Sequence, residues 1–454
     1  MSVPERFRQA VVIVHGMGEQ RPLEMLNRFI KAALPGANVN PRDDDAPVFY
    51  SRPEEVTHSY ESRRYLAPGT EQYDQTEFFE YHWAHLMQGN QLSDLWTTFR
   101  RMLFQPPWTV PKGMRGIWCI FWVLIIAAFF YFWSLDIEFG VVPWEDVVRT
   151  LAGTGLAGTA LTWLLTKILP GKINASFVDV VRYLDTSPRS YAVRREIRKG
   201  MVEMLQGLHD TGRYQRVIVV AHSLGAYIAY DGITSLWVAM NQEHDGGASG
   251  QIDPTILKQL EDEAQQLLAK PSGEEPLDNP SSENEEFRKK QPELWQEIRK
   301  QGCPWLITDF VTVGTPMYMA DQLISTDPGD FGERVVRRQL PVCPPRPDLP
   351  GSTVGKTLYS YPYGGAQVLY HGAPFAVTRW TNMWFPARFG FFGDWFGGPL
   401  APLFGRGIAD HELEGNKPKR FLPAWAHALY FSFPEDVTPE SVTTVLREAL
   451  DLKR

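Results

Sequence analysis

Short runs of aliphatic residues punctuate this chain and set its frame. Val217-Ile218-Val219-Val220 is apolar at every position, as a strand covered on both faces must be. Ala10 to Val14 and Asp309 to Val313 carry much the same signature, and Phe78 to Trp83, Phe375 to Trp384 and Ile408 to Leu413 predict three more strands. Helical character marks Leu92 to Leu103, Phe177 to Tyr183, Val193 to His209 and the stretch from Tyr227 onward. Buried strands alternating with helices predict an α/β fold, a mostly parallel doubly wound sheet flanked by helices.

Two segments break that pattern. Gly116 to Leu135 is uncharged over about the 20 residues a membrane-spanning helix needs, and it is apolar all round. Thr150 to Thr166 is a second uncharged run, with Gly153 and Ala157, and Thr154 and Gly158, at the small-xxx-small spacing that lets helices pack closely in lipid. Arg100, Arg101, Lys112 and Arg115 precede the pair, Lys167 and Lys172 follow it, and Asp136, Glu138, Glu145 and Asp146 lie between, with Arg149 as the single dissenting charge. Cations on the outer flanks predict a transmembrane hairpin with both ends in the cytoplasm. A lid lying in the bilayer surface is the alternative. Residues 241–302 break it differently, with dense charge and little apolar content, and predict a mobile insertion with one short helix near Thr255 to Ala269.

Composition narrows the function classes. The net charge of −8 over 454 residues, with no basic cluster, argues against a nucleic-acid partner. Cys119, Cys303 and Cys343 lack metal spacing and suit a reducing compartment, and the N-terminus lacks the apolar core of a signal peptide. The expected location is therefore the cytoplasmic membrane, with the catalytic part facing the cytoplasm. His82 and His85 have no third ligand in view and predict no metal site. Gly355-Lys356-Thr357 is no phosphate loop, because Pro350 stands where its first glycine belongs.

The chemistry concentrates at Ala221-His222-Ser223-Leu224-Gly225-Ala226. A strand, a sharp turn with serine at its apex and a helix make a nucleophile elbow, whose flanking positions (Ala221, Gly225, Ala226) must be small. The bland alternative is a serine capping an ordinary strand-to-helix junction. His15-Gly16-Met17-Gly18 after the first strand supplies a second element. There the N–H of Met17, or of Gly18, could pair with that of Leu224 to hold an oxyanion.

These two motifs resemble those of the α/β-hydrolases, closest to the lipase and esterase branch, over residues 8–35, 175–240 and 305–454. The resemblance implies the chain order serine, acid, histidine, the acid after the penultimate strand and the histidine after the last. His427 is favoured over His411, while His244 lies in the insertion and His371 comes too early. Asp394 is the expected acid, with Asp410 as runner-up and Asp321 third. Gly314-Thr315-Pro316 resembles the Gly-Ser-Pro that closes the corresponding strand in lipase-like proteins.

The expectation is a membrane-anchored serine hydrolase of lipid or other acyl esters, needing no metal or cofactor. An esterase or thioesterase on soluble substrates, merely localised by the hairpin, and an inactive membrane scaffold are the alternatives. Residues 1–35, 173–240 and 303–454 would form the core. Residues 36–110 would be a cap, 111–172 the hairpin and 241–302 the charged insertion.

Overall fold

The computed structural model describes residues 7–16, 23–36, 50–53, 55–56, 63–87, 106–110, 183, 188–243, 253–269, 284–325, 328–347, 358–363, 366–388, 392–414 and 425–453, with isolated positions between 115 and 126. A mostly parallel sheet forms its centre. Six strands run parallel: β1 (Arg8–Val14), β4 (Gln75–Tyr81), β5 (Arg216–His222), β6 (Ile307–Val313), β9 (Arg379–Trp384) and β10 (Ala409–Glu412). Two more, β2 (Tyr50–Pro53) and β3 (Arg63–Ala67), add an antiparallel edge, giving the order β10-β9-β6-β5-β1-β4-β3-β2.

The apolar runs become strands because both faces are covered. Ala10, Val12 and Val14 of β1 and Val217 and Val219 of β5 enter one core; Val11, Ile13, Ile218 and Val220 enter the other. The first core is roofed by α2 (Pro188–Asp210), α3 (Gly225–Glu243), α4 (Pro254–Ala269) and α5 (Glu285–Lys300), and the second by α1 (Glu24–Ala33) and α7 (Val442–Leu450). A short helix, α6 (Pro328–Val336), adds Phe331 to the first core. This is the predicted α/β layering.

Strand order reverses at β1. The chain leaves it toward β4 on one side, while β5, β6, β9 and β10 extend on the other. In open α/β sheets such a switch opens a crevice at the carboxyl ends of the two strands concerned. Those ends carry His15-Gly16 and Ser223.

One expectation needs correction. Residues 241–302 are more than a mobile insertion with one helix. α4 is there, but so is α5, which buries Phe287, Leu294, Trp295 and Ile298 in the first core. Low average hydrophobicity concealed an amphipathic helix whose outer face is laced by Lys289–Glu285 and Lys290–Glu293 pairs. The stretch before β4 contributes β2 and β3, short strands with few apolar residues. The Pro-rich stretch after α6 ends in a small hairpin, β7 (Ser360–Tyr363) with β8 (Ala366–Leu369).

Of the first apolar run, only Gly116, Trp118, Cys119, Trp122, Val123 and Ile126 are described, all helical; the second run lies outside the described residues, as do 92–103 and Gly355-Lys356-Thr357. Among the described residues no helix is long and apolar enough to cross a membrane.

Leu294→Ala should lower stability by about 2–4 kcal/mol in denaturant unfolding. Glu293→Ala, on the exposed face of α5, should change it by less than about 0.5 kcal/mol. Glu80 of β4 is buried and accepts from the Leu23 N–H at 2.6 Å, and burial pushes its pKa up to about 7. A carboxyl that prefers its proton in the fold costs stability as pH rises through that pKa. Stability should therefore fall between about pH 4.5 and 7 by about 1–3 kcal/mol, and Glu80→Gln should remove that slope from a pH series of melting temperatures.

Candidate active site

Ser223 sits directly after β5 with φ +56°, a left-handed conformation that costs a residue with a side chain about 1–2 kcal/mol. Its N–H still donates to Val313 O at 2.9 Å, so the sheet holds the strained turn from below. α3 begins two residues later, at Gly225. A Cβ there would lie 2.5 Å from Val14 O and 2.6 Å from His15 O, so only glycine lets α3 start against β1. A Cβ on Gly16 would likewise lie 2.6 Å from His222 Nδ1 and 2.8 Å from Ser223 Cβ. The two turns singled out from the sequence are thus in backbone contact.

His427 and Asp394 arrive on loops from the other side. His427 lies on a 3-10 turn, Trp425–Ala428, after β10; Asp394 lies in the loop after β9. The Ser223 hydroxyl donates to His427 Nε2 at 2.8 Å, and His427 Nδ1–H donates to both Asp394 oxygens, at 3.0 and 3.1 Å. All three residues are buried. The His427 ring is held between Phe396 and His222, with centroids 4.9 Å away on each side.

Scans against models of known protein families, curated proteins and solved structures return no match.

The acid is braced by groups to which the sequence assigned no role. Asp394 Oδ1 accepts from Phe396 N–H at 2.8 Å, and Oδ2 accepts from the Tyr430 hydroxyl at 2.6 Å. Tyr430 in turn accepts from Phe385 N–H at 3.1 Å and stacks on Phe385. It follows His427 by three residues, so one short turn delivers both. That spacing is the only sequence signal that could have found it.

Asp410, the runner-up acid, is engaged elsewhere. It accepts from Asn382 Nδ2 at 2.7 Å and from the Leu400 and Ala401 N–H groups. Burial pushes its pKa up to about 6. Its place is under the loop that carries Asp394. His411 stands on β10, where burial pushes its pKa down to about 4, and Asp321 lies on the helical turn after β6; neither hydrogen-bonds the serine or His427.

His222 donates through Nε2 to the His427 carbonyl at 3.0 Å. Burial, reinforced by His427 nearby, pushes its pKa down to about 3, so it stays neutral beside Ser223. His15 does the same service for the other turn. Its Nδ1–H donates to Gly16 O at 2.8 Å, Nε2 accepts from Trp83 N–H at 3.2 Å, and the ring lies flat on the Trp83 indole. Burial holds its pKa near 3 as well. Leu224 N–H takes no backbone acceptor among the described residues. Met17 and Gly18 lie outside them, and so does His244.

His82 stacks on His85 with ring centroids 5.7 Å apart, and among the described residues no His, Cys, Asp and Glu group is arranged to hold a metal ion. The arrangement can move a proton from Ser223 to His427 while Asp394 steadies the imidazole, the requirement for nucleophilic attack by a hydroxyl.

Tyr430→Phe removes one donor from Asp394 and leaves Phe385 N–H unpaired. Phosphonylation of Ser223 by a fluorophosphonate should slow by roughly tenfold or more, read as a second-order rate constant, with the circular dichroism spectrum unchanged.

Proposed function

We propose that this protein is a serine hydrolase of the α/β-hydrolase type, held at a membrane by a hairpin at residues 116–135 and 150–166, that cleaves lipid or other acyl esters. One observation carries the proposal: the continuous hydrogen-bonded chain Ser223–His427–Asp394, assembled from three separate loops at the carboxyl edge of the sheet. Further support comes from chain order. Serine follows β5, the acid follows the penultimate parallel strand and the histidine follows the last, as the resemblance implies.

In the proposed reaction Ser223 Oγ attacks the acyl carbonyl as His427 Nε2 takes its proton. The carbonyl oxygen becomes an oxyanion, which the N–H groups of Leu224 and Met17 receive. Collapse breaks the ester C–O bond, and the leaving alcohol takes the proton back from His427. Water, deprotonated by the same imidazole, then attacks the acyl-enzyme, releasing the acid and restoring Ser223. Asp394 keeps its charge throughout and fixes the imidazole tautomer. The four steps use no metal or organic cofactor.

Support for membrane attachment comes from the sequence: two long uncharged runs flanked by cations. An acyl ester whose chains lie in the bilayer would then meet the nucleophile without leaving its own solvent.

Ser223→Ala should abolish both fluorophosphonate labelling and hydrolysis of a nitrophenyl ester by the detergent-solubilised chain, a loss of at least about 10³-fold. Undiminished labelling would remove Ser223 from its role. Long-chain esters presented in bilayers should be cleaved faster than short soluble ones; the reverse preference would favour a soluble-substrate esterase.

A further inference from the structure

The described residues that flank the apolar region, Val110 before it and the start of α2 after it, lie at one edge of the sheet. On the entry side, Thr109 O accepts from Gln322 Nε2 at 2.9 Å, and Val110 is buried. Gln322 belongs to the helical turn that follows the carboxyl end of β6. On the return side stands the start of α2. Tyr81, the last residue of β4, donates its hydroxyl to Ile197 O at 2.6 Å. The far end of α2 is at the opposite edge, where His209 Nε2 accepts from Leu306 N–H just before β6. A helix of this length spans about 35 Å, so its two ends sample opposite edges of the sheet. The triad sits at the first of these edges.

That edge also carries an unusual surface for a chain with net charge −8. The first turns of α2 line an open cleft of about 290 Å³ with Arg194, Arg195, Arg198 and Lys199. Asp231 engages Arg198 at 2.6 Å and Glu203 lies 3.6 Å from Lys199, whereas Arg194 and Arg195 have no ion-pair partner among the described residues. Two exposed aromatics flank the edge, Tyr191 at 58% exposure and Trp108 at 76%. Exposed aromatic rings and guanidinium groups at one edge of the sheet suit the headgroup layer of an anionic membrane. There the rings sit at the interface, and each cation is drawn to the anionic surface.

We propose that the carboxyl edge of the sheet faces the bilayer and that the cleft on α2 binds the phosphate headgroups of its anionic phospholipids. The proposal rests on the hairpin put forward above and deepens it: it gives the catalytic edge an orientation and names the lipid class that holds it there. With its described flanks at one edge, the hairpin tethers the protein by that edge over the shortest connections. The basic cleft then acts as a second contact, so that Ser223 is presented to the lipid surface.

The test uses the full chain with Cys119→Ser, since Cys303 and Cys343 are buried. An environment-sensitive fluorophore is placed at Tyr191→Cys or at Arg213→Cys, beyond the far end of α2. Each labelled chain is reconstituted in phosphatidylcholine nanodiscs with and without phosphatidylglycerol, and quenching by a headgroup nitroxide lipid is measured. The label at 191 should be quenched several-fold more than that at 213. Phosphatidylglycerol should increase quenching at 191, and molar salt or Arg194→Glu with Arg195→Glu should cancel the increase. Arg194→Gln with Arg195→Gln, milder toward the fold, should cancel most of it. Equal quenching at both sites, stronger quenching at 213, or indifference of site 191 to anionic lipid and to charge reversal would overturn the proposal. Alkaline carbonate separates the two levels. Release of the unlabelled chain from membranes overturns the hairpin itself, whereas retention with site 213 quenched overturns only the orientation.

Discussion

The close approach of α3 to β1 is the constraint on which the rest of the site depends. Gly225 lies against the carbonyls of Val14 and His15, and Gly16 lies against His222 and Ser223. Nothing larger than hydrogen fits at either contact. The benefit is that the end of β1 and the apex of the serine turn become one unit. The cost is a serine in left-handed conformation, held because β5 is bonded on both sides and its last N–H reaches Val313. Strain survives where the surroundings over-determine the backbone. Here they consist of a fully buried strand, a neighbouring strand on each side and a helix that cannot move back.

Polar groups around the triad are arranged so that each loop is held by something other than the triad itself. The Asp394 loop stands on Asp410 and Asn382, and Asp394 has its own donors in Phe396 N–H and Tyr430. His222 grips the backbone of His427, and His15 ties Gly16 to Trp83 at the end of β4. Two of these braces are imidazoles kept neutral by burial, which suits them to donate one hydrogen bond each without placing a positive charge beside Ser223. On the proposed reaction His427 alone then gains charge in the transition state, and Asp394 is already in place to meet it.

Much of this was legible in the chain because local physics dictates it. A strand covered on both faces must be apolar throughout, which revealed β1, β5 and the core of β6. A turn this tight needs small neighbours, which marked Ser223. Chain order, taken from a resemblance, selected His427 and Asp394. What stayed hidden was amphipathic or polar. α5 carries too much charge on its outer face for its average to betray Phe287, Leu294 and Trp295, and β2 and β3 have side chains that do not alternate. Tyr430 was passed over as one aromatic among many.

Sequence by itself therefore determined the α/β class, the serine turn, the glycine turn that faces it and two uncharged runs, since each depends on residues close together in the chain. Only the tertiary structure decided between Asp394 and Asp410. Both are buried carboxylates in loops or strands of the same region, and they differ in which groups come within 3 Å across sequence separations of 10 to 36 residues. Hydrogen bonds of that span are made by packing, and packing is a property of the assembled sheet and its helices rather than of any one stretch of chain.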